Sequence, residues 1–409
     1  MVDSVAAFTH SCYFIGDEVL ALPRGQDRVI CIMSILVFRQ FVSQCLGSHR
    51  LFVFGLSLLL VVVLGSACRE APPSDPPLSS ESRVTGSETS DESVTSLLPS
   101  AFAAFQTQYH SGCCDGSAGV ALDNQYFLVA NDENNVLRVY ERKGRQEPVT
   151  QVDFRKFLDL KKKDQESDIE GMALIDSTVY VIASHSRSKD GDKEKGRRQL
   201  FAVQFDLTGD QPNLHPLGEP YTKLHKRLEE LHSIPGLDWE RAGDLDGDDL
   251  GALNIEGLSS TPDGELMIGF RTPVHRDKAI LLPVRNPMEV IQGLEPIFGA
   301  PILLNLGGTG IRGLEQFAGT YLIATESDTG KTYPQLFSWD GQSPHARRLF
   351  VALPQNFNPE SVLLFPDTGL SEIHVLSDDS NRDIGSASCS EVEDIERRRF
   401  RRIILRARQ

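Results

Sequence analysis

The chain has 409 residues, 40% of them apolar and 24% charged, which is the balance of a folded globular protein and excludes a wholly disordered one. Its 57 acidic residues against 41 Lys and Arg leave a formal charge of -16, which repels phosphate backbones and anionic membrane surfaces. A general nucleic-acid binder is not expected.

The N-terminal part reads as address and tether. Residues 51–67, LFVFGLSLLLVVVLGSA, form an uncharged apolar run behind His49 and Arg50, the layout of an export signal. The run ends in Gly65-Ser66-Ala67 and is followed by Cys68, which resembles a bacterial lipoprotein signal with Cys68 as the lipidated residue. Leu64 stands one place too far from the cysteine for the usual pattern, so cleavage after Ala67 and an uncleaved anchor stay open. Cys12, Cys31 and Cys45 have no metal-ligand spacing, and Met33 is an alternative start. We therefore expect a signal region over 1–67 and a disordered linker rich in Pro, Ser and acids over 68–108. The protein is expected to be exported to the cell envelope and held at the membrane through its lipid alone, with a secreted or periplasmic alternative.

The folded domain, expected over 109–409, repeats itself. Asp168-Ile169-Glu170-Gly171 precedes VYVIASHS, Asn254-Ile255-Glu256-Gly257 precedes ELMIGFR, Gly310-Ile311-Arg312-Gly313 precedes TYLIATES, and Asn358-Pro359-Glu360-Ser361 precedes EIHVLSDD. A worn first copy, Ser117-Ala118-Gly119, precedes YFLVANDENN. Each copy is a strand, a turn and a second alternating strand, recurring at the roughly 40–50 residues of a four-stranded propeller blade. The fold class is thus all-β, a β-propeller with five visible repeats and five or six blades. The one long gap, between Gly171 and Gly257, holds YTKLHKRLEELHSI, in which Leu224, Leu228 and Leu231 predict one amphipathic helix. A closed ring needs its ends joined, and in an exported protein Cys113 or Cys114 could bridge to Cys389; Cys114 to Cys389 is preferred.

The ordered series Cys114-Asp115-Gly-Ser117, Asn131-Asp132-Glu133, Asp168-Ile-Glu170-Gly171, Ser184-His185-Ser186-Arg187, Asn254-Ile-Glu256-Gly257, Gly269-Phe-Arg271, Ile311-Arg312 and Ser377-Asp378-Asp379 resembles the bacterial family catalogued as domain of unknown function 3616, over about residues 108–409. The resemblance implies a propeller without an assigned role. A weaker similarity to esterase-like phytase propellers suggests phosphoester chemistry by analogy.

Positions at the start of the inner strands should recur around the channel: Ala118, Glu170, Glu256, Arg312 and Glu360. Glu170, Glu256 and Glu360, completed by Asp168, Asn254 or Asn358, are candidate ligands for calcium, the one cofactor suggested. Arg312 among them favours a salt-bridged structural network instead. A second set at the ends of the second strands comprises Asp132, Glu133, His185, Arg187, Arg271, Glu326 and Asp378. Such a rim could hold a zwitterionic or phosphorylated ligand, with Arg187 and Arg271 on its anion. His185 is the sole catalytic candidate, as general acid or base.

Three motifs are discounted. Gly308-Thr-Gly310-Ile-Arg-Gly313 fits a dinucleotide fingerprint but leads into a strand. Asp244-Leu-Asp246-Gly-Asp248-Asp249 lacks the Gly and Glu of an EF-hand. Arg397–Arg402 reads as a charged edge strand rather than a nucleic-acid tail. No serine-hydrolase elbow, zincin, phosphate-loop or Cys-x-x-Cys motif occurs. The expected function is a module binding a small ligand or an envelope protein at the channel mouth. The alternatives are a metal-dependent phosphoesterase using Glu170, Glu256, Glu360 and His185, and a structural envelope scaffold.

Overall fold

A computed structural model describes residues 101–160, 166–188, 190–209, 211–247, 249–325, 334–354 and 356–408. The apolar run 51–67, Cys68, Asp248 and Glu326 lie outside these residues.

Five four-stranded blades follow one another around an axis, the last two joined into one eight-stranded sheet by parallel pairing of their outer strands. After a leading strand β1 (Ala101–Ser111), blade 1 comprises β2 (Ala118–Ala121), β3 (Tyr126–Ala130), β4 (Val136–Glu141) and β5 (Thr150–Asp153). Blade 2 comprises β6 (Ile169–Ile175), β7 (Thr178–Ala183), β8 (Leu200–Asp206) and β9 (Asn213–Tyr221). Blade 3 comprises β10 (Asn254–Ser260), β11 (Leu266–Thr272), β12 (Ala279–Val284) and β13 (Ile302–Leu304), and blade 4 β14 (Ile311–Phe317), β15 (Thr320–Thr325), β16 (Gln335–Trp339) and β17 (Arg347–Ala352). Blade 5 begins with β18 (Asn358–Leu364) and β19 (Glu372–Asp378). A short hairpin follows, β20 (Asp383–Ile384) with β21 (Ala387–Ser388), and then β22 (Arg399–Ala407) returns to pair with β19. The protein is a five-bladed β-propeller.

The apolar runs are nearly continuous because both faces of most blades are buried. Val179 and Val181 of β7 join the core shared with blade 1, whereas Tyr180 and Ile182 join the one shared with blade 3. On β15, Tyr321 and Ile323 face blade 3 and Leu322 and Ala324 face blade 5. The period of two in side-chain direction thus makes one strand serve two cores.

The long gap holds an insertion and no sixth blade. The helix expected over 221–234 is present but shorter, α1 (Leu224–Glu229), which buries Leu224 and Leu228, and a second short helix follows beyond that run, α2 (Trp239–Asp244), capped by Asp238 accepting from the Arg241 N–H at 3.0 Å. Pro235 and Gly236 fall between them and break the helical pattern.

Ring closure corrects two expectations. Residues 101–108, read as linker, belong to β1, which forms the outer strand of blade 5 by antiparallel pairing with β22. The strand β22 consequently lies between β19 and β1, so it is an inner member of its sheet and not the edge expected for the arginine-rich tail. The two buried arginines of the strand, Arg401 and Arg402, each reach acceptors. Arg401 donates from Nε to both oxygens of Asp379, at 3.0 and 2.9 Å, while Arg402 donates to the Arg142 carbonyl at 2.6 Å and packs over Phe127. Cys114 and Cys389 form a disulfide across the same closure, with Cα atoms 5.7 Å apart and a sequence separation of 275. A loop that long lies toward the upper end of the roughly 0–5 kcal/mol by which disulfides stabilise folds. Cys113 is free and buried.

A chain started at residue 109 should fail to fold cooperatively. It removes Phe102 from its core and strips the hydrogen-bonding edge of β22. A sharp thermal transition at the full chain's midpoint would contradict this.

Candidate functional site

The repeat unit has a direct physical meaning at the channel. In four blades the register between first and second strands slips at a β-bulge: between Ile169 and Gly171, Ile255 and Gly257, Ile311 and Gly313, and Pro359 and Val362. Glu170, Glu256, Arg312 and Glu360 occupy these bulges, where the extra residue escapes the ladder and its side chain is re-aimed. All four line one cavity of about 400 Å³. The glycine that follows lets neighbouring inner strands meet. A Cβ on Gly171 would come within 2.8 Å of Leu258, and one on Gly313 would strike the Glu360 carbonyl.

Arg312 divides its guanidinium between two of these acids, reaching Glu256 Oε2 at 3.0 Å and Glu360 Oε1 at 2.7 Å. Burial alone would lower its pKa, but Glu360 and Glu256 hold it well above the ordinary value. Arg271 of β11 pairs with Glu256 Oε1 at 2.6 Å. Asn254 donates to the same oxygen at 3.2 Å, and Arg312 also donates to Asn358 Oδ1 at 3.3 Å. Arg197 neutralises Asp168 and Glu166, each at 2.9 Å. The expected cage of Glu170, Glu256, Glu360 and Asp168 therefore has two members bridged by Arg312 and a third tied to Arg197. Among the described residues no group of three or more His, Cys, Asp or Glu side chains is gathered closely enough to hold a metal ion.

The remaining wall is acidic and lacks such neutralisation. Asp115 in the loop before β2, Asp132 after β3, Glu170 and Asp378 also line the cavity, and none has a cation within salt-bridge distance among the described residues. Burial, and then the charges of Asp168, Glu133 and Asp378, push the Asp132 carboxyl up to about 7. Burial followed by Asp132 and Asp378 raises Asp115 well above the carboxylate range, and burial followed by Glu256 and Asp168 does the same for Glu170. Asp378 accepts from Asn358 Nδ2 at 3.1 Å and from the Ser380 N–H at 2.8 Å. The cavity thus has an arginine-balanced set, Asp168, Glu256 and Glu360, and an unbalanced acidic set, Asp378, Asp115, Asp132 and Glu170, that runs from blade 5 through blade 1 to blade 2.

The second set is partly brought together. Asp132, Glu133, Arg187, Arg271 and Asp378 line the cavity, but Arg187 is already engaged, pairing with Asp244 and donating to the Gly243 and Gly191 carbonyls, each at 3.0 Å. It clamps the helical insertion beside the channel and is not available to a ligand anion as expected. The acidic turn around Asp244 accordingly reads as the other half of this clamp. His185 is only 1% exposed and is not part of the cavity wall. Its Nδ1 meets the Ala183 carbonyl at 2.9 Å, and burial lowers its pKa to about 4. The expected acid–base role at the channel has no geometric basis. Asp115 was not among the sequence-derived candidates. Its position just ahead of the first inner strand, beside Cys114, was the available signal.

Residues 116–208, in blades 1 and 2, match the family described as "Protein of unknown function (DUF3616)". No curated protein matches the chain. Among solved structures it is similar to the putative oxidoreductase (glucose dehydrogenase) of Thermus thermophilus, at 16% identity and a TM-score of 0.34, over 74% of this chain and 99% of that one. It is also similar to the WD40 beta propeller domain of Doa1, at 8% identity and a TM-score of 0.35, over 75% and 98% of the two chains. An engineered GH43 glycoside hydrolase aligns at 11% identity and a TM-score of 0.38, over 73% and 51%. Overlap this loose assigns neither a site nor an activity.

Because the folded state holds Asp132 near 7 and the unfolded chain leaves it near the usual value of about 4, the native protein binds the proton more tightly. Stability attached to this group is greatest below pH 4 and falls as pH rises toward 7. Asp132→Asn should therefore stabilise the protein at pH 8, on the order of 2 kcal/mol, and leave it unchanged at pH 4. Equal melting temperatures of variant and parent at both pH values would contradict the assignment.

Proposed function

We propose that this five-bladed propeller, which carries the DUF3616 match over its first two blades, is a binding module that seats a small, positively charged organic ligand at its channel mouth. One observation carries the reading: Asp115, Asp132, Glu170 and Asp378 share the wall of one cavity with no cationic partner among the described residues. A cationic guest favours loss of the protons that burial holds on these carboxyls, and the ionised carboxylates then accept hydrogen bonds without donating any, so a wall of this kind favours a guest rich in N–H donors. An ammonium group supplies both the charge and the donors. The cavity of about 400 Å³ falls within the usual range for small-molecule sites. An organic ammonium is favoured over calcium because Arg312 already bridges Glu256 and Glu360. The phosphoesterase alternative is disfavoured by the seclusion of its acid–base candidate, His185.

Ligands that bind only the folded state raise its melting temperature. Putrescine and spermidine, tested as diamine and polyamine probes, should raise the melting temperature of the parent. They should leave that of Glu170→Gln and Asp132→Asn nearly unchanged, and calcium should have a smaller effect. The reading is overturned if neither amine shifts the parent, or if both variants respond as the parent does.

We infer as well that the propeller is exported and tethered through a lipidated Cys68, a reading supported by the sequence alone: an apolar run, small residues and a cysteine in that order. Metabolic labelling with a radioactive fatty acid should mark the parent and not Cys68→Ser. Equal labelling of both would sink the tether.

A further inference from the structure

The arginine-rich segment near the C-terminus has a second consequence, away from the channel. In extended chain, residues two apart point the same way. Arg401 of β22 faces inward and is held by Asp379, whereas Arg399, two residues earlier at the start of the strand, stands in solvent, as does Arg397 at the end of the short 3-10 turn that precedes it. Both are exposed, and neither has an acidic partner among the described residues. They line a cleft of about 370 Å³ with Arg382, Tyr109, Asp383 and Ile384. Arg382 stacks its guanidinium over the Tyr109 ring, 5.3 Å from the centroid, and its Nε lies 3.5 Å from Asp379.

The two walls of this cleft are fixed from behind. Arg382 leads into the β20–β21 hairpin, and the Arg382 carbonyl accepts from the Cys389 N–H at 2.9 Å, so the hairpin closes onto the disulfide. The Arg399 N–H points at Cys389 Sγ, 3.4 Å away, which ties the opposite wall to the same bridge. Three guanidinium groups thus converge on one opening with a single carboxylate, Asp383, in its lining. On a chain with a formal charge of -16, surface arginines have abundant acids to pair with, yet among the described residues neither of these two makes an ion pair.

We propose that the cleft formed by Arg382, Arg397 and Arg399 is an anion-binding site for a phosphate group, distinct from the acidic channel. Planar guanidinium forks match the oxygens of a phosphate, and arginines offered from two walls can engage different oxygens of one group. The phosphate belongs either to a small soluble molecule or to a lipid headgroup, and the chemistry of recognition is the same for both.

The test uses the purified full chain. Inorganic phosphate and pyrophosphate are titrated at constant ionic strength with melting temperature as readout, and co-flotation is measured with vesicles of phosphatidylglycerol in phosphatidylcholine against phosphatidylcholine alone. The variant is Arg397→Gln with Arg399→Gln, whose exposed side chains leave the cores untouched, and the control is Arg145→Gln, an exposed arginine elsewhere. We expect affinity for at least one phosphate source to fall about tenfold or more per arginine removed, with the control unchanged. Response to the soluble anions alone identifies a free phosphate, and response to anionic vesicles alone identifies a headgroup. The proposal is overturned if the parent binds neither source, or if the double variant binds as well as the control.

Discussion

Five inner strands meet around one axis, and the closeness of that approach governs the rest of the molecule. Where Gly171 passes Leu258 and Gly313 passes the Glu360 carbonyl, no side chain fits. The residue immediately before each of these glycines is displaced from its ladder by a bulge and turned toward the cavity. One local device therefore does two things. It lets blades pack edge to edge, and it delivers a side chain from each of four blades to a common space. The Asp-x-Glu-Gly repeat is the sequence record of that device.

The side chains so delivered do not cancel. Arg312 and Arg271 answer Glu256 and Glu360, and Arg197 answers Asp168 and Glu166. Asp115, Asp132 and Glu170 are left to repel one another in a buried setting, which holds protons on them and lowers stability as pH rises. A fold selected for stability alone would replace such groups with neutral ones, since their cost is not offset by a cation among the described residues. Stored electrostatic cost of this kind is what a cationic ligand would relieve.

Much of this was legible in the sequence because the period was local. Gly119, Gly171, Gly257, Gly313 and Ser361 mark one inner strand each, and the residues ahead of four of them reach the cavity. What could not be read rests on partners distant in the chain. The strand Ala101–Ser111 looks like the end of a linker until β22, nearly the whole length of the domain away, supplies its hydrogen bonds. Arg401 and Arg402 suggest an exposed edge until Asp379 and the Arg142 carbonyl are brought beside them. His185 shares the repeat position of a channel residue, but its ring packs back against the Ala183 carbonyl, a detail of backbone path that no spacing rule encodes. Arg187 was drawn away by Asp244, which belongs to an insertion rather than to a repeat.

The central claim is that the channel buries carboxyl groups in excess of its arginines, so that ionising them is costly until a cation is bound. The most direct measurement is a carbon-13 NMR titration of the carboxyl groups, with the Asp132 resonance assigned through its loss in Asp132→Asn. The account predicts a midpoint near 7 for Asp132, moving down when a bound cation relieves the repulsion. A midpoint near the ordinary carboxylate value of about 4 would mean that the acidic wall is already neutralised, and would contradict the account.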